Sequence, residues 1–318
     1  MKVGLYVGRE ASVDGALRQV RAAAEAGLDS VFFGQTFGWD ALVVSALAGR
    51  EAAGLEIGTA IVPTYPRHPM VLAAAALTLQ AATGNRFTLG LGPSHGPVVE
   101  SRFGLSYEHP ARHVREYLSV LGPLLRGEQV DFHGETLSAQ GAVRVPDAAP
   151  PPVLLSALAP LMLRIAGELA DGTVTTWATA PVIAEHVKPR VEQAAADAGR
   201  GAPRIAAIVM ASVTDRPEQV RRKIAGQIGA ASSLPSYRAL LERQGLAGIE
   251  ETIVVGDAKT VAEGLHAFDA AGTTDLLVSV VDGGDADSDG ADRSAQAEPE
   301  AQAEREHTLE LLSGLSQV

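Results

Sequence analysis

His95 stands in the sequence SHG, three residues beyond the buried-strand pattern FTLGLG at 87–92. A neutral imidazole at a strand end can donate to a bound ring or relay a proton near pH 7, because its charge change falls close to that range. It can equally be a loop histidine satisfied by solvent or backbone. Gln35 and Thr36 follow SVFFG and offer uncharged hydrogen bonding to a substrate, or to their own loop. Trp177, after GTVTT, presents a large apolar wall with one N–H donor, suited to a planar molecule. Trp39 shares that character, and either ring could instead pack helices. In SALAP, Ser156 to Ala159 lead into Pro160 and a helix-length stretch whose first turn leaves amides for an anion, or simply form a short loop. Arg67 and His68 precede Pro69, where the arginine could meet an anionic tail or the pair could cap a helix.

Other chemistries find little here. His109, His113 and His133 are irregularly spaced and form no HExxH or three-ligand pattern, so no metal is expected. DADSDGAD lacks the final glutamate of a calcium loop. There is no cysteine, which removes disulfides and thiolate chemistry. The net charge of -12 is concentrated in residues 282–310, where ten carboxylates face two arginines. The remainder is only mildly acidic and carries no basic field for nucleic acid. The apolar residues of MKVGLYVGREAS are too few for a signal-peptide core, and every apolar run is broken well short of a membrane span. A cytoplasmic protein without membrane attachment is expected, acting on a small molecule.

The elements that position these residues recur with one beat. Apolar strands are predicted at Lys2–Val7, Ser30–Phe33, Ile57–Val62, Phe87–Leu91, Val153–Ser156, Gly172–Thr176, Ile205–Val213 and Asp275–Val281, with amphipathic stretches between them. Eight such units in 318 residues predict an α/β fold, a TIM-like (β/α)8 barrel forming one domain over residues 1–318. A doubly wound sheet would call for a glycine fingerprint after strand one, where VGREAS stands instead. Insertions are expected after strands four and seven. Residues 97–150 hold the first, with a helix and a hairpin at Val130–Val145, and Leu234–Gly245 adds a helix to the second. The acidic stretch 283–302 has little to bury and reads as a disordered excursion, after which 305–315 closes the fold as a helix.

Three segments together resemble the luciferase-like monooxygenase superfamily, and more closely its branch of oxidoreductases that use the deazaflavin coenzyme F420. They are FFGQTFGWDAL at 32–42, GTAIVPTYPRHPMVLAAAALTLQAATGNRFTLGLGPSH at 58–95, and LSALAPLMLRIAGELADGTVTTWA at 155–178. The resemblance spans about residues 1–281. It implies that Thr59, Ala60 and Ile61 end strand three at a non-prolyl cis peptide behind the cofactor ring. It implies that Ser94 and His95 contact the cofactor, that Ser156, Ala157, Leu158 and Ala159 form the phosphate-side loop, and that Trp177 lies near the ring. Relatives acting on alcohols carry a histidine in the loop after strand two, where this chain has QTFGW. Alcohol oxidation thereby loses its usual base, and reduction of an activated double bond is the expected reaction, with His95 as donor and Thr36 or Gln35 assisting. The alternatives are an FMN-dependent monooxygenase and a barrel that binds the deazaflavin without turnover. Pairing into a homodimer through the alanine-rich helices is also compatible with the sequence.

Overall fold

Eight parallel strands close on themselves in the computed structural model, which describes residues 1–8, 12–284 and 297–316. They are β1 (Lys2–Val7), β2 (Ser30–Phe33), β3 (Glu56–Thr59), β4 (Phe87–Gly92), β5 (Val153–Ser156), β6 (Gly172–Thr176), β7 (Arg204–Val213) and β8 (Asp275–Val280). Each pairs with its sequence neighbours, and β8 closes the ring by pairing with both β7, Ile208 opposite Leu277, and β1, Val3 opposite Leu276. This is the expected (β/α)8 barrel, with helical insertions.

Alternation along the strands sends one set of side chains inward and the other toward the helices. Phe32, Leu154, Val174, Ala206, Ile208 and Leu277 fill the barrel interior, with Ala60, Ile61 and Tyr6 above them. The larger outer core lies between strands and helices, with Val31, Phe33, Leu89, Leu155 and Val209 facing Leu72, Leu121, Ile165 and Leu265. Where strands begin, an ionic cluster closes the opposite end of the barrel. Arg204 reaches Asp275 at 2.5 Å and Glu56 at 2.8 Å, while Thr88 donates to Glu56 at 2.7 Å.

Helix starts follow the sequence chemistry. Ser12 caps Val13–Glu25, Asp40 caps Ala41–Glu51 and Asp257 caps Ala258–Ala270, each through its side-chain oxygen. Proline opens Pro69–Thr83, Pro110–Leu125, Pro160–Leu169, Pro217–Ile228 and Pro235–Gln244. His68 Nδ1 accepts from the Met70 amide at 3.3 Å, and its Nε2 lies 2.9 Å from the Ser138 carbonyl. The histidine therefore caps a helix and ties it to the hairpin.

Several boundaries differ from the sequence-based expectation. Strand three, expected through Val62, stops at Thr59, and Val62–Pro63 pairs separately with the end of β4. The break is the cis Ala60–Ile61 peptide. Across it the pairing with β2 continues, since Ala60 N donates to Phe33 O at 2.8 Å and Ile61 O accepts from Gln35 N at 3.1 Å, whereas pairing with β4 is interrupted between Gly58 and Val62. The insertion after β4 carries an additional helix, Gly96–Phe103, before Pro110–Leu125 and the hairpin Val130–His133 with Ser138–Gly141. The insertion after β7 carries Pro235–Gln244 and a short strand, Val254–Gly256, paired to the end of β7. Of the acidic stretch 283–302, residues 285–296 lie outside the described residues. Residues 297–302 are the first turns of helix Ala297–Ser316, which starts before the expected 305. Its Glu304 anchors it, accepting from Thr214 at 2.6 Å and the Gly283 amide at 2.7 Å.

Candidate active site

The C-terminal ends of the strands surround a cavity of about 1430 Å³. That exceeds the usual range for a single small ligand, roughly 300–1,000 Å³. Its walls include Gln35 and Thr36 after β2, Ala60 and Ile61 after β3, Ser94 and His95 after β4, Ser156, Leu158 and Ala159 after β5, and Trp177 after β6. Ten of the twelve residues expected at the site thus meet around one space. Thr59 and Ala157 do not reach it. The Thr59 hydroxyl turns to the neighbouring strand, donating to Gly90 O at 2.8 Å and accepting from Gly90 N at 3.0 Å, and Ala157 is buried in the outer core.

The expected residues are not equivalent once placed. Gln35 spends its side chain on its own loop. Its amide donates to the carbonyls of Thr36 and Trp39, and its oxygen accepts from the Ala41 amide at 3.0 Å and from Arg67 at 3.3 Å. Arg67 completes the same arrangement by pairing with Asp40 at 2.6 Å, so it braces the loop rather than facing an anionic tail. Thr36 is exposed at the rim. Trp39 packs edge-on against Phe33, with centroids 6.0 Å apart, and is not among the cavity walls.

His95 is half-buried, and burial moves its imidazole below the ordinary histidine range, which keeps it neutral at pH 7. Its Nε2 lies 3.1 Å from the Tyr237 hydroxyl and its Nδ1 3.5 Å from Ser236 Oγ. Ser94 has φ +63° and its carbonyl accepts from the Tyr107 hydroxyl at 2.8 Å. Trp177 also holds a positive φ, +58°, unusual for a bulky side chain and maintained by its neighbours. Gln244 Nε2 donates to Trp177 O at 3.1 Å, Gln244 Oε1 accepts from Thr179 N at 2.7 Å, and the Tyr237 ring lies 4.3 Å from the indole.

Helix Pro235–Gln244 therefore roofs the cavity and touches both the β4 and β6 loops. Tyr237, Ser236 and Tyr107 were not foreseen as site residues. Tyr237 is the lone aromatic residue in the insertion after β7, a signal available in the sequence.

The features suit an extended, flat, anionic molecule. Ala60, Ile61, Val174 and Ile208 make an apolar floor, and Trp177 a ring-sized wall. Below Ser156 the helix Pro160–Leu169 begins at Ala159 with no side-chain cap. Its first amides, at Leu161 and Met162, have no intrahelical acceptor and border the cavity. A more distant arm reaches Arg18, Lys223 and Arg305, of which Lys223 and Arg305 pair with Asp282 at 2.6 and 2.7 Å. Among the described residues no group of three or more metal-binding side chains converges, and no helix is long and apolar enough to cross a membrane.

The sequence profile of one family, luciferase-like monooxygenase, matches residues 1–275. The chain belongs to that family. The 5,10-methylenetetrahydromethanopterin reductase of Methanolobus tindarius is 27% identical to this chain over 271 residues, covering 80% of this chain and 82% of that protein. In fold, the chain is similar to the coenzyme F420-dependent tetrahydromethanopterin reductase from Methanopyrus kandleri, with a TM-score of 0.76 at 20% identity over 98% of this chain and 97% of that one. It is similar also to an F420-dependent secondary alcohol dehydrogenase in complex with an F420–acetone adduct, with a TM-score of 0.75 at 18% identity over 88% and 93%.

Proposed function

We propose that this protein is an oxidoreductase that transfers a hydride between coenzyme F420 and a small organic molecule, in the direction of reducing an activated double bond. The observation that carries this reading is the single cavity joining an apolar, tryptophan-walled floor to an uncapped helix start. One end fits a planar ring and the other a phosphate. The likeness in fold to an F420-dependent reductase and an F420-dependent alcohol dehydrogenase supports the same cofactor.

The residues divide the work. Ala60 and Ile61 would support one face of the ring, with the Trp177 side chain as a wall beside it. The amides of Leu161 and Met162, with Ser156, Leu158 and Ala159 around them, would hold the phosphate. Bound F420 supplies the hydride. The chain's own part is to orient the acceptor carbon, exclude water and provide a proton. Among the described residues no basic side chain lines the cavity from the β2 loop, where Gln35 is neutral and engaged and Asp40 pairs with Arg67. His95, held neutral, borders the cavity and can take part in proton supply.

The reading is tested by adding purified F420 and FMN separately to the protein and following protein-bound absorbance, then supplying reduced F420 with an enone. Binding of F420 with consumption of the enone is expected. Preference for FMN with oxygen-dependent turnover would indicate the monooxygenase alternative, and F420 binding without turnover on enones, imines or nitro compounds would indicate a carrier. A homodimer is also part of this proposal. Val43 and Leu47 on Ala41–Glu51 and Val71 on Pro69–Thr83 are all exposed and apolar, on adjacent helices.

A further inference from the structure

Tyr237 lies on the first turn of helix Pro235–Gln244 and borders the cavity. Its hydroxyl meets His95 Nε2 at 3.1 Å, with the two rings 4.8 Å apart and inclined by 58°. On the far side of the imidazole, Nδ1 makes a long 3.5 Å contact with Ser236 Oγ, and Ser236 is exposed. A line of exchangeable hydrogens therefore runs from solvent through Ser236 and His95 to a phenol on the cavity wall. The phenol is held in place at both ends of its helix. Trp177 packs against its ring, and Gln244 fastens the helix terminus to the Trp177–Thr179 loop.

We infer that Tyr237 is the group that protonates the reduced substrate, and that His95 and Ser236 resupply its proton from solvent. The inference rests on the hydride-transfer reading and assigns the acid for it. For an enone, the hydride and its electron pair form the new C–H bond at the β-carbon, and the π pair moves onto the carbonyl oxygen. Tyr237 Oη gives its proton to that oxygen. The phenolate takes the Nε2 proton of His95, Nδ1 takes the Ser236 hydroxyl proton, and water restores the serine. The substrate gains one hydride and one proton, and His95, left with its proton on Nδ1, regains the Nε2–H form by proton exchange with water before the next turnover. In the resting site the scheme requires His95 to carry its proton on Nε2, with Nδ1 accepting from Ser236.

The surroundings favour a relay over a stored charge. Burial raises the Tyr237 phenol well above its ordinary range, reinforced by the nearby phenols of Tyr6 and Tyr107, and burial lowers the His95 imidazole. Neither phenolate nor imidazolium accumulates at neutral pH, so the transfers are coupled.

The test compares the wild type with Tyr237→Phe and His95→Gln, using two readouts. The first is ¹⁵N NMR titration of the His95 imidazole in protein without added cofactor. The wild type is expected to show the Nε2–H tautomer, and Tyr237→Phe to change its midpoint and ring nitrogen shifts. The second is single-turnover reduction of 2-cyclohexen-1-one by reduced F420 in H₂O and D₂O. Tyr237→Phe is expected to lower the rate roughly 10²- to 10⁴-fold and abolish the solvent isotope effect, with F420 affinity retained. His95→Gln is expected to slow repeated turnover. An Nδ1–H tautomer, an imidazole titration indifferent to Tyr237→Phe, or a variant that keeps rate and isotope effect would overturn the assignment. Failure of the wild type to bind F420 would refute the hydride-transfer reading instead, while the titration still judges the Tyr237–His95 pair.

Discussion

Two residues after strands on either side of β5, His95 and Trp177, owe their properties to a third that is distant in sequence. Tyr237 contacts both rings, and Gln244 holds the backbone of Trp177 in its left-handed conformation. Replacing Gln244 with Ala removes both hydrogen bonds that secure this conformation. The expected consequence is a loss of about 1–2 kcal/mol, roughly tenfold weaker cofactor binding with fold retained, measurable by titration with F420. Unaltered affinity would mean that the tryptophan is held by packing alone. His95 and Trp177 were legible in the sequence because each directly follows a buried strand whose end faces the cavity. Gln35 was legible as a location only. A glutamine's four hydrogen-bonding positions can serve substrate or loop, and only coordinates show that the loop takes them. Tyr237 was not foreseen because its contact with His95 spans 142 positions and depends on how an insertion folds back.

Among the elements, the barrel strands were the most legible, since buried parallel strands are nearly continuous apolar runs with glycine or polar ends. Their limits were less so. The break in strand three is an interruption of its pairing with β4 at the cis Ala60–Ile61 peptide, which periodicity does not encode. Gly90 on β4 contributes to the same place, because an added Cβ would stand 1.9 Å from the Thr59 carbonyl oxygen. At the opposite end, Arg204 joins β7 to β3 and β8 through Glu56 and Asp275. Burial by itself would raise the Glu56 carboxyl, but Arg204, Thr88 and Lys2 overcome it and leave the group below its ordinary range. Arg204→Met leaves buried Asp275 without its cation and Glu56 with only Lys2 and Thr88, and is expected to cost about 3–5 kcal/mol, read from chemical denaturation. Because a depressed carboxyl stabilises above its unfolded value and loses that effect as pH falls, the wild-type advantage over this variant should shrink below about pH 4.5. An advantage independent of pH would show that Arg204 acts through packing.

For the molecule as a whole, burial lowers the imidazoles of His95, His113 and His186 together. The unfolded chain takes up protons near pH 6.5 that the native protein resists, so stability should be full above that value and decline as pH falls below it. Thermal unfolding between pH 8 and pH 5 measures this, and a rise in stability on acidification would contradict it. The exposed Val43, Leu47 and Val71 predict that light scattering finds a dimer and that Val43→Glu with Leu47→Glu gives a monomer; a monomeric wild type would remove this part of the proposal. The central claim concerns what fills the cavity at the strand ends. Its most direct test is to mix the purified protein with reduced F420 and an enone without oxygen and follow oxidation of the cofactor. The account predicts stoichiometric oxidation with the enone reduced at its double bond, whereas protein that binds no F420, or binds it and leaves the enone unchanged, would contradict it.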